Sequence, residues 1–215
     1  MKRILFWGDS ITDTHWREDD NGQMGVGYTR LVKAELAYLY PGKYEFFNRG
    51  IGGDRIVDLY ARIKRDCINL APDYVSILVG VNDVWHEHAS GNGVSAEKFE
   101  KIYTMMIEEI LEALPNLKLF LFGSYVMPGS ATTGTLPDGR DRYSVFREEV
   151  AERSAATKRV AERFGLPYVD LQPVFDDLDR RYGIEYFLDD GVHPSAAGYE
   201  AIKREWLKIF RAIEE

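Results

Sequence analysis

Hydrophobic positions along the chain alternate between two spacings. Short, nearly continuous apolar runs, "RILFW" (3–7), "YEFFNRG" (44–50), "YVSILVG" (74–80), "LKLFLFG" (117–123) and "LPYVDL" (166–171), have the length and the β-branched or aromatic content of strands. Between them, apolar residues recur every three to four positions at about 26–40, 54–70, 95–114, 143–164 and 195–213, which predicts helices. Strand–helix–strand alternation needs crossover connections, so the strands are expected to run parallel with helices on both faces. The expected architecture is a three-layer α/β/α sandwich. "VSILVG" is apolar on both sets of alternate positions, as a central strand covered on both sides must be. Ligands of such sheets collect at the carboxyl ends of the strands, and Ser10, the glycines of 50–53, Asn82 and Ser124 all follow predicted strand ends.

A chain of 215 residues fits one domain, 1–215, burying roughly 70% of the surface its unfolded form exposes. The net charge of −8, with no stripe of Lys or Arg, argues against nucleic-acid and anionic-membrane partners. No segment approaches the ~20 apolar residues of a membrane span. The apolar run near the N-terminus, "ILFW", is shorter than the ~7–15 residues of a signal peptide's core, so it is expected to be the first strand of a cytoplasmic protein. A single cysteine, Cys67, excludes an internal disulfide, fits a reducing compartment and is expected at a buried helix position. The longest irregular stretch, "VMPGSATTGTLPDGRDR" (126–142), is expected to form a flap near the site. The "WLKIFRAI" helix and exposed aromatics could form the interface of a homo-oligomer, although core packing accounts for them equally.

Candidate chemistry lies in four separated segments. In "FWGDSITDTHW" (6–16), Ser10 is either a turn and helix N-cap or a nucleophile that needs a base from elsewhere. In "LDDGVHPSAAGYEAIKREW", Asp190 stands three residues before His193, a spacing that lets the carboxylate fold back onto the imidazole; the alternative is a surface histidine at a helix entry. Ser195 is placed to cap the last helix. "NRGIGGDRIVDL" puts three glycines in four residues and then Asp54, a potential helix cap, so it is either a tight turn or a backbone N–H aimed at an oxyanion; its spacing does not match GxGxxG. In "LVGVNDVWHEH", Asn82 follows an apolar strand and either starts an Asx-turn or donates its amide toward the rim. His86 and His88 are two apart, where HExxH needs four, and "DTHWREDD" (13–20) with His15 has the pattern of a solvated acidic loop.

The four blocks "GDSITD" (8–13), "GIGGD" (50–54), "GVND" (80–83) and "DGVHP" (190–194) together resemble the SGNH hydrolases, also called the GDSL esterase/lipase family. Among its members the blocks look most like the intracellular carbohydrate acetylesterases, including acetylxylan esterase-like proteins. The resemblance implies a flavodoxin-like sandwich with about five parallel strands. It also implies a nucleophile Ser10, a general base His193 with partner Asp190, and an oxyanion hole built from the Ser10 N–H, the Gly53 N–H and the Asn82 side chain. "GDSIT" lacks the second glycine of G-x-S-x-G, so the α/β-hydrolase fold is not indicated. The expected activity is hydrolysis of short-acyl esters, acetyl above all, on a small molecule or oligosaccharide through an acyl-enzyme, with no metal or cofactor. Asp9, Trp16 and Trp85 are candidate substrate contacts. The alternatives are a lysophospholipase or other acyl hydrolase of the same family, a metal-dependent phosphoester hydrolase using Asp9, Asp13, Asp83, His86 and His88, and a non-catalytic binding protein.

Overall fold

The computed structural model describes residues 1–18 and 23–214. Asp19 and Asp20 of the expected acidic loop lie outside the described residues. In chain order the elements are β1 (Lys2–Gly8), α1 (Ser10–Asp13), α2 (Tyr28–Leu39), β2 (Tyr44–Gly50), α3 (Ile56–Ala61), α4 (Ile63–Asp66), β3 (Tyr74–Leu78), α5 (Val81–Ser90), α6 (Ala96–Ala113), β4 (Lys118–Gly123), α7 (Arg142–Phe164), β5 (Tyr168–Asp170), α8 (Gln172–Tyr182) and α9 (Ala196–Glu214). The strands form one parallel sheet in the order β2-β1-β3-β4-β5. Strand order therefore reverses between β1 and β3, and the crevice at their carboxyl ends is the switch point where such sheets bind ligands.

Period-two alternation divides the core. Ile4, Phe6, Phe120 and Phe122 face the layer of α2, α8 and α9, and pack with Val32, Phe175, Trp206 and Phe210. Leu5, Trp7, Val75, Ile77, Leu119 and Leu121 face the opposite layer and pack with Ile56, Phe99, Ile107 and Val160. The aromatic face of α9 is thus core: Trp206 stacks on Phe210 at 4.9 Å and donates its indole N–H to Ser76 Oγ at 2.9 Å. That buried pairing, not an exposed interface, accounts for "WLKIFRAI". Cys67 is buried, as expected, and burial pushes its thiol up to about 12. No helix among the described residues is long and apolar enough to cross a membrane.

Three differences from the hydrophobic pattern have physical causes. The helix expected over 54–70 breaks at Arg62, whose buried guanidinium donates to Arg49 O (2.8 Å) and Gly8 O (3.2 Å) and pairs with Asp54 and Asp66. Helices α1, α5 and α8, of 4, 10 and 11 residues, are too short to sustain a long periodic pattern; α8 buries only Phe175 fully. The 126–142 segment is not a flap. Its Met127 and Ala131 N–H groups donate to Gly191 O (2.9 Å) and Asp190 O (3.0 Å), and the buried Tyr125 hydroxyl just before it donates to Val192 O (2.9 Å). The segment is a buttress behind the loop that carries Asp190 and His193.

Gly8 is required by close approach: a Cβ there would lie 2.1 Å from Leu78 O. Beside it, fully buried Asn48 ties three strand-end segments together. Its amide donates to Thr12 O (2.6 Å) and Met24 O (3.0 Å), and its oxygen accepts from Gly50 N–H (2.8 Å). Asn48→Ala removes all three contacts, and each buried group left unpaired costs about 1–3 kcal/mol. Urea denaturation should therefore show a clear fall in the midpoint; an unchanged midpoint would mean that Asn48 holds nothing.

Candidate active site

The first turn after β1 sets the site. Asp9, not Ser10, is the N-cap of α1: its carboxylate accepts from Ile11 N–H at 3.0 Å, and Ser10 becomes the first helical residue. The cap alternative for Ser10 is corrected accordingly, because helical bonding starts one residue earlier: Thr12 and Asp13 N–H donate to Asp9 O at 3.1 and 2.8 Å. The Ser10 side chain is then left for other work, and among the described residues no partner takes its backbone N–H. Asp9 is also not a substrate contact, since it is 1% exposed.

Residues 183 positions apart meet at this turn. Ser10 Oγ lies 3.0 Å from His193 Nε2, and His193 Nδ1 lies 2.7 Å from Asp190 Oδ2. The other Asp190 oxygen accepts from the backbone N–H groups of Val192 (2.9 Å) and His193 (2.8 Å). Burial alone would raise Asp190, but the imidazole and these two N–H donors hold it below the usual carboxylate range. An ionised Asp190 takes the Nδ1 proton as its hydrogen bond, which leaves Nε2 as the acceptor for the Ser10 hydroxyl. Ser195 stands ahead of α9 and accepts from Gly198 N–H at 3.4 Å, as a cap does.

Three of the four backbone N–H groups in the turn after β2 are already taken. Ile51 donates to Gly8 O (3.1 Å), Gly52 to Asp13 Oδ2 (2.8 Å) and Asp54 to Ile51 O (3.2 Å). Among the described residues no partner takes the Gly53 N–H, and Gly53 sits at φ +83°, a conformation that favours glycine. Asp54 does not cap α3 as expected. Its carboxylate is committed to Arg62 at 2.8 Å, and Ile56 N–H donates instead to Asp83 at 3.2 Å. Asn82, in the first turn of α5, directs its amide to Asp54 O at 3.2 Å, which leaves its second N–H available. Ser124 is buried against Val79 O and stays out of the site.

A cleft of about 660 Å³ opens at this edge, lined by Ser10, Asp13, His15, Gly52, Asp189 and His193 among others. Trp16 and Trp85 do not line it. The Trp16 indole donates to Gly50 O at 2.7 Å and its ring is in contact with the Arg17 and Arg49 guanidiniums, 5.4 and 5.0 Å from its centre, while Trp85 packs on Phe146 at 5.3 Å. The residues of the metal-dependent alternative hold other partners: Asp9 caps α1, Asp83 accepts from Ile56 N–H, Asp13 takes Gly52 N–H, His86 reaches Gly53 O and His88 pairs with Glu149. Among the described residues, no three His, Cys, Asp or Glu side chains group as metal ligands would. Sequence reasoning missed Asn48 and Arg62; the signal was polar residues interrupting apolar patterns, in "EFFNRG" and in "YARIKRD".

A parallel sheet with Ser, His and Asp converging on its carboxyl edge defines a hydrolase of the acyl-transfer kind. Residues 6–201 match the GDSL-like lipase/acylhydrolase family, and the chain belongs to that family. It is 30% identical over 213 residues, 96% of this chain and 93% of the relative, to an acetylxylan esterase from Geobacillus stearothermophilus. The crystal structure of Axe2, an acetylxylan esterase from that bacterium, matches with a TM-score of 0.82 at 28% identity, covering 96% of this chain and 93% of that one. A GDSL-like protein from Parabacteroides merdae matches with a TM-score of 0.87 at 28% identity, covering 96% and 94%. The chain is a carboxylic ester hydrolase of this family.

Burial beneath the site makes one carboxyl a measurable reporter. Asp9 is pushed up to about 7 by burial, against the opposing Ile11 N–H, and among the described residues its second oxygen has no partner. A carboxyl raised in the folded state from 3.8 favours the fold below that value, and loses this advantage as pH rises through about 7. Asp9→Asn keeps a capping oxygen and cannot ionise. Its stability relative to the parent should therefore increase by a few kcal/mol between about pH 4 and pH 8, at about 1.4 kcal/mol per unit. Parallel pH–stability curves for the two proteins would contradict the buried acid.

Proposed function

We propose that this protein is a serine esterase that removes acetyl groups from acetylated carbohydrates, with Ser10, His193 and Asp190 as its triad. The observation that carries the proposal is the continuous chain from Ser10 Oγ to His193 Nε2 (3.0 Å) and from Nδ1 to Asp190 (2.7 Å). The acetyl and carbohydrate assignment is supported by the acetylxylan esterase from G. stearothermophilus, which aligns over 96% of this chain. The open cleft is compatible with a sugar, since Asp13, His15 and Asp189 offer partners for hydroxyls and Val26, Pro194 and Tyr199 an apolar wall for a ring face. The single, buried Cys67 suits a reducing compartment, and a cytoplasmic location is part of the proposal.

The reaction runs in two steps. His193 Nε2 takes the Ser10 proton as Oγ attacks the ester carbonyl, and Asp190 stabilises the imidazolium. The tetrahedral oxygen accepts from the Ser10 N–H, the Gly53 N–H and the Asn82 amide. Collapse breaks the ester bond, and the sugar oxygen leaves with the proton held by His193. Water, deprotonated in turn by His193, then attacks acetyl-Ser10, and acetate leaves as the Ser10 hydroxyl regains its proton.

Ser10→Ala should abolish turnover of p-nitrophenyl acetate and labelling by a serine-directed phosphonate; residual hydrolysis that a chelator removes would favour the metal-dependent alternative. Asn82→Ala should lower kcat by about 10²–10³-fold with the fold intact by circular dichroism. On acetate, butyrate and decanoate esters, and on acetylated xylo-oligosaccharides, kcat/KM should be highest for acetyl groups on the sugar. A decanoate preference would point to the lysophospholipase-like alternative.

A further inference from the structure

His86 belongs to the "HEH" stretch that the reaction leaves unused. It lies one helical turn after Asn82, so the two side chains project from the same face of α5. Both reach the turn after β2. His86 Nε2 is 2.9 Å from Gly53 O and Asn82 Nδ2 is 3.2 Å from Asp54 O. The acceptor at Gly53 is a carbonyl, so Nε2 carries the proton and donates it. Between these residues, Asp83 accepts from Ile56 N–H at 3.2 Å. One helix therefore grips the turn at three positions, 53, 54 and 56.

The grip matters because Gly52 and Gly53 are the softest part of the site. Adjacent glycines leave four permissive torsions, and Gly53 occupies φ +83° although a Cβ there would meet nothing closer than His86 Nε2 at 3.8 Å. Crowding therefore does not hold the conformation. Hydrogen bonds at its two ends do: Asp13 on the Gly52 N–H and His86 on the Gly53 carbonyl. The peptide between them carries the Gly53 N–H.

We infer that His86 is a positioning residue: by holding the Gly53 carbonyl to the same helix that carries Asn82, it fixes the separation and aim of the two oxyanion donors. His86 does not touch the reacting atoms; it acts through Gly53. The inference rests on the assignment of Gly53 and Asn82 to the oxyanion hole.

The test uses the full-length protein with three substitutions. His86→Leu fills similar space without a donor, His86→Gln presents an amide N–H near the Nε2 position, and His86→Asn has the same amide on a shorter side chain. For p-nitrophenyl acetate, kcat should fall about 10–100-fold in His86→Leu, less than for loss of a direct donor, with KM nearly unchanged. Phosphonate labelling of Ser10, which forms a tetrahedral adduct in the same hole, should slow in parallel. His86→Gln should recover most of both rates and His86→Asn should not, a contrast that holds even if the Leu variant fails to fold. In His86→Leu/Asn82→Ala the losses should be less than multiplicative, since the two residues serve one oxyanion. Unchanged kcat and labelling in folded His86→Leu, or equal rates in the Gln and Asn variants, would overturn the inference while a dead Ser10→Ala keeps the esterase assignment. Hydrolysis surviving in Ser10→Ala would remove the parent assignment and this inference with it.

Discussion

Ser10 and the glycine turn at 51–54 lie where a parallel strand has just ended, and Asp190 and His193 lie in the loop ahead of α9; at all of these places regular structure stops satisfying the backbone. Strand-end N–H groups need partners, and short carboxylates and amides supply them at nearly every turn on the rim. Asp9 accepts from Ile11 N–H, Asn48 from Gly50, Asp170 from Gln172 and Asp190 from Val192, each two residues on. These are Asx-type turns, in which a side chain imitates the next backbone carbonyl. Asp13 and Asp83 do the same across loops, to Gly52 and Ile56. The site's geometry follows from this one requirement, because each such bond fixes a turn and each turn aims a reacting group.

Asp190 illustrates the coupling. One of its oxygens builds the loop, by accepting from Val192 and His193 N–H, and the other orients the imidazole that the loop presents. Structure and chemistry thus use the two oxygens of one carboxylate. The loop would still be free to tilt without the segment behind it, where Met127, Ala131 and Tyr125 hydrogen-bond to Gly191, Asp190 and Val192. A stretch rich in Gly, Ser, Thr and Pro is held here because some of its backbone donors go to the neighbouring loop, and others, such as those of Thr132, Leu136 and Gly139, close turns within the stretch.

Much of this was legible in the sequence, for reasons that also explain what was not. The five strands and the parallel sheet follow from local patterns, since a strand buried on both faces must be apolar throughout, as "YVSIL" is. Ser10, Asn82, Asp190 and His193 stood out as polar residues directly after or between such elements; the structure brings Ser10, His193 and Asp190 together, and Asn82 reaches the turn after β2 through Asp54 O. Polar partnerships were harder. Whether Asp9 or Ser10 caps α1, whether Asp54 or Asp83 serves α3, and which way Trp16 turns all depend on groups far away in sequence. Arg62, whose inward turn breaks the helix expected over 54–70, is decided by carbonyls on two strands that sequence spacing cannot bring together.

Burying the caps has an energetic cost that exposes their purpose. Burial raises both Asp9 and Asp83, and like-charge repulsion adds to it, from Asp54 on Asp9 and from Asp9 on Asp83. A solvent-exposed helix start achieves the same capping with Ser or Asn and no such penalty. Here the caps cannot be exposed, because the surface above them is occupied by the groups they position: Ser10 follows Asp9, and Asn82 precedes Asp83. A longer side chain would project into the cleft, and an apolar one would abandon the N–H groups of Ile11 and Ile56. A short acceptor beneath the rim satisfies those amides without displacing the neighbouring Ser10 and Asn82. Stability is given up at two positions, 9 and 83, that adjoin Ser10 and Asn82 in the chain.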